Sequence, residues 1–214
     1  MFKSSNTAYA KTVAAYFGEF KKQKWRTIIV IVILSFANIC TLYLPPLIVS
    51  NIFKRLNKTE SIPTDYLVKQ IALFGAIWLF GELIWRGGNI ILSRILIRSI
   101  SNLYLSAWQK LLEKEINFFH ENFSGSLTKR TISYAKNFEN FAVNVIHNVI
   151  TKILPFIFGL GVLYTFSPYL SIAFIIFVLF IYFSIYPLIK RRKKLVLSRE
   201  EANNEIAGHI ADVF

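Results

Sequence analysis

Residues 27–49, TIIVIVILSFANICTLYLPPLIV, contain no charged side chain. A run of this length crosses the roughly 30 Å hydrocarbon core of a bilayer as a helix rising 1.5 Å per residue. In lipid every backbone amide must find its partner within the protein, so such a run folds as a helix. Three more runs follow. Residues 170–188 are also uncharged, residues 149–166 hold only Lys152, and residues 67–85 hold Lys69 and Glu82 toward their two ends. Hydrophobic residues make up 54% of the chain and Phe alone accounts for 20 positions, which fits a membrane protein and not a soluble domain. The sequence thus predicts an all-α membrane protein with four transmembrane helices.

The formal net charge of +13 raises the question of nucleic acid. Nucleic-acid readers gather Lys and Arg on a water-exposed face, whereas here the basic residues flank apolar runs, so no nucleic-acid partner is expected. Six lie before Thr27, eight within residues 86–140 and six from Ile189 onward; the first connection carries four (Lys54, Arg55, Lys58 and Lys69), and the short Ser167-Pro168 connection none. Cationic loops stay in the cytoplasm, which predicts both termini and the middle segment on that side; the membrane is expected to be the plasma (inner) membrane. The first 26 residues lack a compact apolar core ending in small residues, so the first span is expected to act as its own insertion signal. The single cysteine, Cys40, offers no disulfide, and His120, His147 and His209 lack metal-ligand spacing.

The second connection is far longer than a turn. No proline occurs between Pro63 and Pro155, and Ile91, Leu92, Ile95, Ile100, Leu103, Leu105, Leu111 and Leu112 recur near helical spacing. A helix from Leu67 to Glu115 would measure roughly 70 Å, so about 35 to 40 Å of it projects beyond the bilayer. A return arm over residues 131–148 completes a cytoplasmic helical hairpin (86–148), with FFHENFSGSLTKR at its tip. Phe119 and Phe123 there are candidates to anchor a partner, or to close the hairpin against its own stems; Ser124 is placed to cap the return helix. Ahead of the first span, Tyr9, Val13, Tyr16, Phe17 and Phe20 trace an apolar stripe, read as an interfacial helix within residues 1–26.

This arrangement resembles the transmembrane domain of ABC exporters. The tip carries it: the aromatic pair Phe118-Phe119, the polar stretch His120-Glu121-Asn122, then Phe123-Ser124, Gly125-Ser126-Leu127, and Arg130 three residues on. Pro45 and Pro46 near the outer end of the first span are similar too, as is the basic exit KRRKK (190–194) leading into a polar helical stretch. The resemblance implies an elbow helix before span one, a four-span domain over residues 27–188, and a further cytoplasmic helical extension over 189–214. It also implies that residues 118–127 form a coupling helix docked on a nucleotide-binding domain, present in cis or in trans. ATP and Mg would bind on that domain and none on this chain, which has no GxxxxGK[ST] loop and no LSGGQ-like signature. A second transmembrane domain would pair with it as homodimer or heterodimer.

Two departures stand out. The family places an acidic residue four positions after the motif arginine, whereas Tyr134 stands here. Six spans are usual and four are present, so the chain is expected to be part of a longer transporter; a non-ATP transporter or a membrane scaffold with helical stalks is the alternative. Within the spans, Glu82 and Arg86 read as a local i, i+4 ion pair, and Lys152 as a cation near the inner interface. Gly75, Gly81, Gly159 and Gly161 read as close-packing positions, and Asn38, Tyr43, Trp78 and Tyr164 as candidate cargo contacts.

Overall fold

The computed structural model describes residues 2–57, 63–121 and 124–213, and among them every regular element is helical. In chain order these are α1 (Phe2–Lys22), α2 (Lys24–Asn38), a π-helical segment π1 (Ile39–Tyr43), α3 (Leu44–Leu56) and α4 (Thr64–Leu112). Then come α5 (Ile116–Glu121), α6 (Ser124–Val145), π2 (Ile146–Ile150), α7 (Thr151–Phe166) and α8 (Pro168–Val213). Among the described residues four stretches are long and apolar enough to cross a membrane, Lys24–Leu56, Thr64–Leu112, Leu127–Phe166 and Pro168–Arg192. Each contains one of the four runs marked out by the sequence. The chain divides into two units, residues 1–159 and 160–214.

In the first unit the helix irregularities have proline causes. A proline ring lacks an amide hydrogen and collides with the carbonyl four residues back. Pro45 would meet Thr41 in this way, and the wide turn of π1 falls there; Pro155 would meet Thr151, which closes π2 with ψ of −8°. The hydroxyls of Thr41 and Thr151 donate to the carbonyls of Ala37 and His147, each at 3.0 Å, so both threonines bond to the backbone one turn earlier.

α4 is a single helix of 49 residues, about 73 Å long. It begins at Thr64, behind Pro63, and ends at Leu112, slightly short of the expected Glu115. Its buried stripe is Gly81, Gly88, Leu92, Ile95, Leu96, Ser99 and Leu103, a near-heptad seam against α2 and α6. Leu105 and Leu112, which share the apolar period, remain exposed. Glycine makes the seam possible at two points. A Cβ on Gly81 would lie 2.7 Å from Thr41 Cγ2 and 2.8 Å from Cys40 Cβ, and one on Gly88 would lie 2.7 Å from Leu34 Cδ2. Gly159 likewise sits against the Tyr43 ring, whereas a Cβ on Gly75 or Gly161 would meet nothing within 4 Å among the described residues.

The core lies where α1, α2, α4 and α6 meet, and is built from Tyr16, Val30, Leu34, Leu92, Ile95, Leu103, Phe138, Ala142 and Ile146. Burying each large side chain contributes about 1.5–3 kcal/mol, which holds the α4–α6 hairpin to the foot of span one. The apolar stripe of α1 is satisfied largely by protein. Tyr16 packs on Phe138 with ring centroids 5.3 Å apart and Phe20 packs on the same ring at 5.4 Å, while Phe17 stays exposed. The expected interfacial helix therefore docks part of its apolar face on α6.

In the second unit, α8 carries an almost wholly exposed apolar surface from Tyr169 to Ile189, as expected of a helix that meets lipid or other spans. Its start is pinned by the Ser171 hydroxyl, which donates to the Leu160 carbonyl at 3.2 Å.

Candidate functional site

The end of the α4–α6 hairpin carries the residues singled out by the sequence. α4 stops at Leu112, residues 113–115 turn, and the short α5 follows, its first turn closed by the Phe118 amide donating to the Glu115 carbonyl at 3.0 Å. Glu113 and Glu115 precede α5, where negative charge favours a helix start. Phe118 and Phe119 contact each other edge to face, with centroids 5.6 Å apart and planes at 84°. Phe118 is half-buried, whereas Phe119 is 39% exposed and Ile116 is 74% exposed. A phenylalanine that merely closed the hairpin would be covered by its stems. Phe119 is not.

His120 and Glu121 lie in α5, and Ser124 and Gly125 open α6; Asn122 and Phe123 fall outside the described residues. Ser124 is the first helical residue of α6, not the residue before it. Leu127 and Arg130 lie on α6 and line, with Lys110, Lys114 and Tyr134, a cavity of about 310 Å³ between the end of α4 and the start of α6. The structure thus brings Phe118 to Phe119, and Leu127 to Arg130, on either side of the tip.

Tyr134, which stands where the resemblance leads one to expect an acid, makes a different tie. Its carbonyl accepts a 2.6 Å hydrogen bond from the Tyr16 hydroxyl, and the two rings lie 5.4 Å apart. Burial, with Tyr134 alongside, pushes the Tyr16 phenol above its ordinary value. A second tie runs through Glu19, a buried carboxylate that accepts from Lys22 and, at 3.3 Å, from Asn102 of α4. α1 is therefore fastened to both arms of the hairpin. The sequence reading missed both contacts; the buried positions Thr131, Ala135, Phe138, Ala142 and Ile146, at spacings of three and four, were the available signal.

Within the spans, Arg86 Nε donates to Glu82 Oε1 at 3.2 Å, the expected i, i+4 pair. Lys152, read as a cation near the inner interface, donates its ammonium at 2.9 Å to Oδ1 of Asn38, a buried side chain on span one. The rings of Trp85 on α4 and His147 in π2 lie tilted against each other, with centroids 5.1 Å apart. Of the candidate cargo contacts, Asn38 is buried, Tyr43 packs edge to face on Phe158, and Trp78 and Tyr164 are exposed. Among the described residues no group of His, Cys, Asp and Glu is arranged to hold a metal.

No curated protein and no solved structure matches the chain significantly. The family model of the ABC transporter transmembrane region matches residues 28–214, from the second residue of the first apolar run to the end. Helical architecture, four membrane-length apolar stretches and this match agree: the chain belongs to the ABC transporter transmembrane family and is an integral membrane part of such a transporter.

Proposed function

We propose that this chain forms part of the translocation pathway of an ATP-driven exporter and passes motor movement into the membrane through its cytoplasmic hairpin. The observation that carries the reading is the exposed Phe119, paired with Phe118, on a short helix at the end of a 49-residue α4. A stiff helix transmits displacement along its length, and an exposed aromatic anchor at its end suits a cleft on a partner. The partner is a nucleotide-binding domain, in cis or in trans, which binds ATP and Mg; a second transmembrane domain completes the pathway. Residues 118–127 are the coupling element, with Phe118, Phe119 and Leu127 as apolar contacts and Arg130 at its edge. Closure of two nucleotide-binding domains would then tilt the hairpin and shift the bundle between two arrangements.

The test is Phe119→Ala in the complete transporter. Loss of a buried aromatic interface anchor costs about 2 kcal/mol or more, so cargo-stimulated ATPase activity and transport should fall at least tenfold while the protein remains assembled. Unchanged stimulation with intact assembly would rule the anchor out. The charge distribution further supports a cytoplasmic tip, and the exporter reading goes with a plasma (inner) membrane. A membrane-impermeant thiol reagent should label Asn57→Cys on intact cells and Glu113→Cys only after permeabilisation; the opposite pattern would reverse the orientation.

A further inference from the structure

Where α1 breaks at Gln23 and α2 begins, a cavity of about 520 Å³ is lined by Lys21, Lys22, Lys24, Arg26 and, from α4, Arg98, with Trp25 at its side. Glu19 engages Lys22, and among the described residues Lys21, Lys24, Arg26 and Arg98 have no carboxylate partner. A topology signal requires cationic residues beside the span only; it does not require a residue of α4 to converge on them.

A second cavity lies deeper along the same two helices. It measures about 480 Å³ and is lined almost entirely by carbon, from Val32, Ile33 and Phe36 of α2 and Ile84, Gly87 and Ile91 of α4. Trp25, Val32 and Phe36 stand at i, i+7 and i+11, and Ile84, Gly87, Ile91 and Arg98 at i, i+3, i+7 and i+14, so both cavities open on one face of each helix. Arg26 to Val32 and Arg98 to Ile91 are each separated by roughly 10 Å of helix rise. Gly87 keeps the groove open, because a Cβ there would meet nothing within 4 Å. Trp25, 69% exposed, marks the boundary between the polar and apolar parts, as indole rings do at the headgroup level.

We propose that the α2–α4 face is a binding site for one anionic phospholipid, its phosphate among Lys24, Arg26 and Arg98 and an acyl chain in the groove beside Gly87. A free phosphate offers the same charge but has nothing to place in the carbon-lined groove, which is why the lipid is favoured. The lipid would lie against the joint between α1 and span one, where α1 is also fastened to the hairpin. The inference depends on membrane insertion and not on ATP coupling, so it stands or falls separately from the proposed function.

Native mass spectrometry of the complete detergent-solubilised transporter, titrated with phosphatidylglycerol or phosphatidylcholine of matched chains, tests it. Phosphatidylglycerol should be retained at least tenfold more strongly than phosphatidylcholine. Lys24→Gln with Arg98→Gln removes two cations, each worth about fivefold near a membrane surface, and should abolish the preference. Gly87→Leu keeps every charge and favours the helix, yet should weaken retention about tenfold by filling the groove. Equal retention of the two lipids would overturn the site. So would Gly87→Leu retaining phosphatidylglycerol fully while millimolar glycerol phosphate displaces it, since the ligand would then be a soluble phosphate.

Discussion

Lys152 of α7 and Asn38 at the end of α2 are joined by a 2.9 Å hydrogen bond from the ammonium to the amide oxygen, and each residue adjoins a π-helical segment. Asn38 Nδ2 in turn donates to the Leu34 carbonyl at 3.0 Å, which fixes which amide atom faces the cation. The two proline-driven distortions thus bring a charged and a polar side chain together between spans one and three.

A cation left without its acceptor is worse than no cation. Asn38→Leu should therefore destabilise the protein by about 1–3 kcal/mol, Lys152→Met by less, and the double variant should recover part of the loss. Thermal unfolding in detergent checks the order. A double variant as unstable as Asn38→Leu alone would show that the pair is not the cause.

The Tyr16 contact with α6 gives a pH signature. Tyr16→Phe keeps the ring stacking and loses one hydrogen bond, a cost of about 0.5–1.5 kcal/mol, whereas Tyr16→Ala empties a core position at about 3–5 kcal/mol. Because the folded phenol titrates above its ordinary value near 10, its contribution is complete below pH about 10 and is lost as pH rises through the folded value. The stability difference between the native protein and Tyr16→Phe should accordingly narrow above pH 10. A difference that grows with alkalinity would contradict the assigned burial.

Two glycines of one helix should respond oppositely to alanine. At Gly81 the new methyl would overlap Thr41 and Cys40, costing about 1–3 kcal/mol; at Gly75 it meets nothing and gains up to about 1 kcal/mol of helix propensity. Thermal stability of the two variants separates them. Equal responses would mean that α2 and α4 are not as closely packed as the seam requires.

The spans and the hairpin were legible because both follow from run length: an uncharged stretch fixes a membrane helix, and a proline-free connection longer than the bilayer fixes a projecting one. The tip was legible as a sequence of residue types, and the structure adds that Phe119 is exposed. What the sequence concealed were contacts between distant positions. The Lys152–Asn38 bond joins positions 114 apart, and the stripe on α1 has the same period whether it meets lipid or Phe138. Arg98 looks like one more topology charge until α4 carries it to Lys24 and Arg26. Gly75 and Gly81 are indistinguishable in sequence, and only the neighbouring helix decides which of them is needed.

The proposed coupling depends on the hairpin tip docking on an ATP-binding motor. A photo-crosslinking amino acid placed at Phe119 in the complete transporter, irradiated in native membranes, tests this most directly. A crosslink to the nucleotide-binding domain is expected, and it should be lost when the probe is moved to exposed Leu105 on the shaft of α4. A probe at Phe119 that reacts only with its own hairpin or with lipid would contradict it.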